Sequence, residues 1–240
     1  MALKNNQKPN YMKKLKINKY IFRNITLNSY DIMRFQSAEI LKFIEKNASE
    51  FEDASRLMQA FHNDKIQYAG IQLASEQHRL AITAYGKSNI KAVETWWKVY
   101  RKKNKLSKTN VVKTQENYEL QYSPEAYTYK ISKMLIKKDK YEQLSRLKNN
   151  TARFNSVLAA YITANFLPLY NMIDHWHDRQ KNDIQVQIVK AQEHLHGFKV
   201  YKNRYRQGFD IVFTTRLLLP YNFAIGESTA LGFGRINMLK

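Results

Sequence analysis

The hydrophobic residues of the N-terminal half change their spacing several times, from the alternation of a strand to the period of a helix and back. Met33, Ile40 and Ile44 fall on one helical stripe, whereas Leu80 and Ile82 alternate with other residues as in a strand. The segments predicted in this way are strands at 15–26, 66–73 and 80–86 and helices at 29–47, 52–61 and 90–100. This half is therefore expected to run strand, helix, strand, strand, helix.

The C-terminal half mixes strands and helices in a similar order. Phe154, Val157 and Leu158 have the spacing of one helix face and predict a long helical region between about Tyr141 and Leu167. The other predicted elements are a hairpin or strand pair around 111–134 and strands at 184–188, 198–201, 209–219 and 231–239. The chain is thus predicted to be an α+β protein of two tandem ferredoxin-like domains with antiparallel sheets. The domains are expected at residues 1–105 and 106–240, divided within the polar stretch 102–110.

The chain carries a large positive charge. Its 40 Lys and Arg residues against 20 Asp and Glu give a formal net charge of +20 at pH 7. Because 44% of the residues are hydrophobic, a packed core is expected and a fully disordered basic protein is excluded. A polyanionic partner would neutralise this charge, and the 16 tyrosines offer rings that stack on unpaired bases. Nucleic acid is the expected partner, and an anionic membrane surface is the weaker alternative.

Several classes of protein are excluded by what the sequence lacks. There is no cysteine, so disulfides, thiolate catalysis, thiolate zinc sites and iron–sulfur clusters are excluded. No run of about eighteen apolar residues is present, so no membrane-spanning helix is expected. The first 20 residues lack the apolar stretch of a secretory signal. A soluble cytoplasmic protein is therefore the expectation.

Three of the seven glycines lie close together near the C-terminus, at Gly226, Gly232 and Gly234. Glycine permits positive φ and a close approach of the backbone to a ligand, and amides in such a loop can face phosphates. An ordinary turn with a glycine bulge in a strand is the alternative. The segment is not a P-loop, because no Gly-Lys-Ser/Thr follows, and it is not a dinucleotide-binding fingerprint, because no helix pattern follows.

The ending Gly-x5-Gly-Phe-Gly, placed just before a last hydrophobic strand, resembles the glycine-rich loop of the CRISPR repeat-processing endoribonucleases of the RAMP superfamily. The segments 154–173, 183–188 and 198–219 are similar to the helix, strand and long hairpin that precede this loop in one branch of that family. The resemblance covers roughly residues 140–240 and continues more loosely into the N-terminal half. Ala224 stands where the family usually has a glycine.

The resemblance implies two tandem ferredoxin-like domains that clamp a repeat RNA and cleave precursor CRISPR RNA without a metal. In that chemistry the 2′-hydroxyl attacks the adjacent phosphate and a cyclic phosphate is left. A base must take the 2′-hydroxyl proton, an acid must protonate the departing 5′-oxygen, and a cation stabilises the phosphorane. Histidine suits both proton-transfer roles because its pKa lies near neutrality.

The candidate catalytic residues are grouped around one histidine. His62 matches the first histidine of the family's Phe-His-Asn-His motif, while Asp64 stands at the position of the second. Tyr68 is expected to donate or position, because a phenol with a pKa near 10 is a poor base at neutral pH. Arg56 and Lys65 lie near His62 in the sequence and are candidates to neutralise the phosphorane.

The candidate RNA-binding residues belong to the glycine-rich loop and to the basic segment before it. They are Gly226, Glu227, Ser228, Thr229, Gly232, Phe233, Gly234, Arg235, Lys199, Lys202, Arg204 and Arg206. No cofactor and no metal are expected, and metal binding by the His-x-His pairs at 175–177 and 194–196 is a weaker alternative.

The expected partners are CRISPR repeat RNA and other CRISPR effector subunits, with a homodimer as a further possibility and no membrane. Two other functions stay open. One is a RAMP-type RNA-binding subunit that does not cleave, which Asp64 favours. The other is an unrelated basic protein that binds RNA or DNA.

Overall fold

The structure is a computed structural model of the chain. It describes residues 14–26, 30–62, 70–119, 121–172, 184–201, 204–220, 223–227 and 233–239. Two four-stranded sheets and the helices packed on them account for most of these residues. None of the described helices is both long enough and apolar enough to cross a membrane.

The first unit has the strand and helix order β-α-β-β-α-β, with one extra short helix. Its elements are β1 (Lys14–Thr26), α1 (Tyr30–Lys46), α2 (Ala54–Phe61), β2 (Ile71–Glu76), β3 (Arg79–Tyr85), α3 (Lys87–Lys103) and β4 (Val111–Glu119). The sheet order is β2-β3-β1-β4 and all pairs are antiparallel. This is the ferredoxin-like arrangement that the sequence predicts.

The second unit repeats the strand order of the first. Its elements are β5 (Tyr122–Leu135), α4 (Lys138–Ser145), α5 (Thr151–Met172), β6 (Val186–Glu193), β7 (Phe198–Tyr201), β8 (Arg204–Arg206), β9 (Gly208–Leu217) and β10 (Arg235–Met238). The sheet order is β10-β5-β9-β6, and β7 and β8 form a separate two-stranded ribbon. Between β9 and β10, the described residues contain no helix where the first unit has α3. We call 223–234 the glycine-rich segment, of which 223–227 and 233–234 are described.

The α+β fold with two antiparallel sheets is confirmed, but the predicted strand pair around 111–134 does not form a hairpin. β4 pairs with β1 along its whole length, from Lys14 opposite Glu119 to Phe22 opposite Val111. β5 instead pairs with β9 and β10 in the other sheet. The chain therefore passes from one sheet to the other between β4 and β5, later than the predicted division after residue 105. The polar stretch 102–110 is part of the first unit, because it ends α3 and leads into β4.

Two hydrophobic cores hold the units. The first lies between one face of the N-terminal sheet and its helices, and it is rich in aromatic rings around Phe22, Trp96 and Trp97. The second lies mainly between the C-terminal sheet and α5, but it also includes Leu15 and Tyr85 of the first unit. Because these two residues pack with the second core, the two units share an apolar interface.

Candidate functional site

His62 lies directly after α2 and its side chain is exposed. The carboxylate of Asp53 caps the start of this helix by accepting the amide of Arg56 at 2.8 Å. Leu57 and Phe61 bury one face of α2, and the His62 amide closes the helix by donating to the Met58 carbonyl at 2.9 Å. The sequence thus places this imidazole at the surface end of a short, anchored helix.

The other candidate catalytic residues are distributed around His62 in the sequence. Arg56 is exposed on α2. Lys65, Tyr68 and Asp64 lie outside the described residues. The chain is described again from residue 70, immediately before β2. His62 and β2 therefore bracket the stretch that contains these three residues.

Gly226 and Gly234 are needed for the path of the backbone. Both have positive φ, +95° and +69°. A Cβ on Gly226 would lie 2.7 Å from the Leu135 carbonyl oxygen, and one on Gly234 would lie 1.8 Å from the Ile225 carbonyl oxygen. A side chain at either position would therefore collide with backbone, and the alternative of a tight structural turn accounts for both glycines.

Several described amides of the glycine-rich segment donate to acceptors within the protein. Gly226 N–H donates to the Asn165 side-chain oxygen at 3.2 Å, and Glu227 N–H donates to the Leu135 carbonyl at 3.0 Å. Gly234 N–H donates to the Ser132 carbonyl at 3.2 Å. These three amides thus have protein partners. The predicted RNA-binding residues Ser228, Thr229 and Gly232 lie outside the described residues.

The ribbon of β7 and β8 is fastened to the glycine-rich segment. The Phe198 ring lies 5.9 Å from the ring of Phe233, which is 2% exposed, so Phe233 acts as a packing residue here and does not offer a surface for stacking. Arg206 Nε lies 3.6 Å from the Glu227 carboxylate. Arg235 is half-buried at the start of β10. Predicted RNA-binding residues of the two segments therefore lie side by side.

Two of the remaining basic candidates belong to the same ribbon. Lys199 lies on β7 and Arg204 begins β8. Lys202 lies outside the described residues. Tyr205, between the two arginines of β8, has 60% of its surface exposed. A short, basic ribbon with an exposed aromatic ring is a suitable surface for a polyanion.

A cluster around Asp210 was not expected from the sequence. Its carboxylate accepts the Lys133 amide at 2.7 Å and lies 3.2 Å from His194 Nε2, while the His194 ring packs 4.6 Å from Phe198. Burial opposes ionisation of Asp210, but the Lys133 amide and His194 outweigh it, so the pKa of this carboxyl is lowered. The sequence signal for this site was only the pair His194 and His196. Among the described residues, no group of three or more His, Asp or Glu is arranged to hold a metal ion.

Gln72 and Tyr85 connect the first unit to the start of the glycine-rich segment. Gln72 Nε2 donates to the Ala224 carbonyl at 3.1 Å, and the Tyr85 ring lies edge-on to Phe223 at 5.8 Å. The Tyr118 hydroxyl donates to the Leu218 carbonyl just after β9. The strand that follows the candidate catalytic stretch is thereby joined to the loop that the sequence singles out for RNA binding.

Comparison with protein families identifies the C-terminal half of the chain. Residues 120–239 match the family described as the Cas6b C-terminal domain. The chain belongs to the Cas6b family of CRISPR repeat-processing proteins. The matched region begins where the structure passes from the first sheet to the second. It includes the ribbon, the glycine-rich segment and β10.

Solved structures extend the similarity of this Cas6b-family chain to both units. The crystal structure of the CRISPR RNA processing endoribonuclease Cas6b matches with a TM-score of 0.61 and 17% identity, over 94% of this chain and 100% of that one. Csf5, a CRISPR-Cas type IV Cas6 crRNA endonuclease, matches with a TM-score of 0.55 and 13% identity, over 95% of this chain and 100% of that one. At these identities the matches show a common fold. No curated protein matches the sequence significantly.

Proposed function

We propose that this protein is a metal-independent endoribonuclease that binds CRISPR repeat RNA and cleaves it. The observation that carries the proposal is the exposed His62 at the end of α2, in a chain whose C-terminal half is a Cas6b domain. Two solved relatives with the same fold are described as a CRISPR RNA processing endoribonuclease and a crRNA endonuclease. The chain has the fold of these relatives, an accessible histidine and a net charge of +20 with which to bind RNA.

The proposed reaction is an internal transesterification of the RNA. The 2′-oxygen forms a bond to phosphorus, the bond from phosphorus to the 5′-oxygen breaks, and the products carry a 2′,3′-cyclic phosphate and a 5′-hydroxyl. His62 serves as the base that takes the 2′-hydroxyl proton. The Tyr68 phenol, which keeps its proton at neutral pH, serves as the acid that donates a proton to the departing 5′-oxygen. Arg56 and Lys65 supply positive charge to the phosphorane.

The proposed binding surface combines the ribbon and the glycine-rich segment. Arg206, with Lys199 and Arg204 of the same ribbon and Lys202 between its two strands in the sequence, provides charge for phosphates. The exposed Tyr205 ring provides a surface for a base. Much of the affinity is expected to come from displacement of counterions, so binding should weaken steeply with salt. The protein is proposed to act in the cytoplasm, alone, as a homodimer, or with CRISPR effector subunits.

Incubation with the repeat RNA encoded beside the protein tests the proposal. Cleavage at one position in EDTA, giving a 5′-hydroxyl product, is expected. A substrate with 2′-deoxyribose at that position should bind but remain intact, because the nucleophile is missing. Salt-sensitive binding with no scission of the unmodified RNA would contradict the proposal. It would instead support the non-cleaving RNA-binding subunit that Asp64, in place of the second histidine of the family motif, favours.

A further inference from the structure

Gln72 is a buried amide at the junction of the two units. It is the second residue of β2 and only 4% of its surface is exposed. Its Nε2 donates to the Ala224 carbonyl at 3.1 Å, and its Oε1 accepts the Tyr85 hydroxyl at 3.4 Å. Both ends of the amide are therefore engaged, and the Ala224 carbonyl sets which end faces it, because a carbonyl can only accept.

The hydrogen bond from Gln72 to Ala224 joins two regions to which the proposed function assigns a role. On one side, β2 begins directly after the stretch that contains Lys65 and Tyr68. On the other side, Ala224 lies two residues before Gly226, and Ala224 and Phe223 are tied to the start of β10 by backbone pairing. A shift of one region relative to the other would stretch the hydrogen bond of Gln72.

Packing alone does not require an amide at this position. A leucine of similar volume would fill the space and would need no partners, whereas a buried amide costs free energy unless both of its ends are bonded. The benefit of the amide is a directional bond, which holds two backbone segments at a defined distance. Such positioning affects the reaction rate strongly, because a displacement of the reacting groups by roughly 1 Å can slow the reaction by about a hundredfold.

We infer that Gln72 is a positioning residue for cleavage. It holds the start of β2, which follows the candidate catalytic residues in the chain, against Ala224 in the glycine-rich segment. This inference rests on the proposed function, because it assigns the two sides of the junction to catalysis and to RNA binding. Gln72 itself touches no reacting atom, so its loss should slow the chemical step and spare most of the RNA affinity.

The test compares Gln72→Leu with the wild-type protein in single-turnover cleavage at saturating repeat RNA. Affinity is measured separately with the 2′-deoxy RNA, which does not react. The expected result is a fall of about tenfold or more in the cleavage rate with a change in Kd within about threefold. Gln115→Leu, an exposed glutamine of β4 in the same sheet, is the matched control and should change neither quantity. A rate within twofold of wild type, or equal losses of rate and affinity, would overturn the inference.

Gln72→Glu provides a second test, which also serves if Gln72→Leu does not fold. Glutamate has nearly the same shape as the native glutamine. The ionised carboxylate of this variant lacks a proton for the Ala224 carbonyl, but the protonated acid restores a donor. The cleavage rate of Gln72→Glu relative to wild type should therefore rise as the pH is lowered, and a ratio independent of pH would overturn the inference. If the wild-type protein itself does not cleave the RNA, the proposed function fails first and the positioning role fails with it.

Discussion

The two units share one strand order but close their sheets differently after the third strand. In the first unit, β3 is followed by α3, which buries Ile90, Val93, Trp96 and Trp97 against the sheet. In the second, β9 is followed by the glycine-rich segment, which has no helix in its described residues and buries Phe223, Ile225 and Phe233. The segment that follows the third strand, which we call the closure, packs through large side chains in the first unit. In the second unit it packs through the backbone at Gly226 and Gly234, which lies close to the backbone of Leu135 and Ile225. The unit with the irregular closure is also the one with the basic ribbon.

The largest effect is expected at Gly234, where the second closure is tightest. Gly234→Ala should lower the free energy of unfolding by about 5 kcal/mol, or prevent folding, because its Cβ would lie 1.8 Å from the Ile225 carbonyl oxygen. Gly86→Ala is the matched control in the first unit, since Gly86 also has positive φ but its Cβ would meet only Leu15 at 3.8 Å. It should cost about 2–3 kcal/mol in urea unfolding, because φ +82° with ψ 158° is a conformation that only glycine adopts readily. Equal losses for the two variants would show that backbone crowding does not distinguish the closures.

A slightly smaller loss is expected when α3 loses its largest buried ring. Trp96→Ala should lower the free energy of unfolding by about 4 kcal/mol, because Trp96 is 1% exposed and packs on Phe22, Phe61 and Tyr100. Trp96→Phe should recover more than half of this loss in the same urea titration. If Phe recovered nothing, the first closure would depend on a particular contact of the indole and not on buried volume.

His62→Ala separates function from stability in the first unit. The cleavage rate of repeat RNA should fall by about a hundredfold or more, because the candidate general base is removed. The free energy of unfolding should change by less than about 0.5 kcal/mol, since the side chain is exposed. Exposed His78, in the turn between β2 and β3, provides the control variant His78→Ala, which should leave cleavage unchanged. A His62→Ala protein that cleaves at the wild-type rate would remove His62 from the site.

The smallest effect is expected at Asp210, whose carboxylate contacts the Lys133 amide and the His194 side chain next to the ribbon. Its pKa is lowered in the folded protein, so its contribution to stability is present above the pKa of the unfolded chain and is lost as the pH falls through the folded pKa. Asp210→Asn should therefore cost about 1–2 kcal/mol at pH 7 and progressively less as the pH falls below about 4. Thermal unfolding across this pH range measures the difference. A cost that did not vary with pH would show that the charge of Asp210 is not involved.

The individual elements could be predicted well because each depends on nearby residues. The β-branched and aromatic residues of 15–26 place β1 to within one residue. The helical spacing around Phe154 and Leu158 predicted one long region between about Tyr141 and Leu167, where the structure has two helices, α4 and α5, separated at 146–150. The glycine pattern near the C-terminus indicated the family, which the match over residues 120–239 confirms. The roles of His62 and the ribbon in cleavage and RNA binding stay predictions about function.

What the sequence by itself determined is the set of elements, the α+β class, the charge and the C-terminal motif, because each follows from residues close together in the chain. Only the tertiary structure decided that β4 pairs with β1 and not with β5, that His194 lies against Asp210, and that Gln72 reaches Ala224. These contacts join residues far apart in sequence. The periodicity of a strand shows which face is buried, but it carries no information about which edge the strand pairs with. That choice is made when the sheets and their shared core pack together.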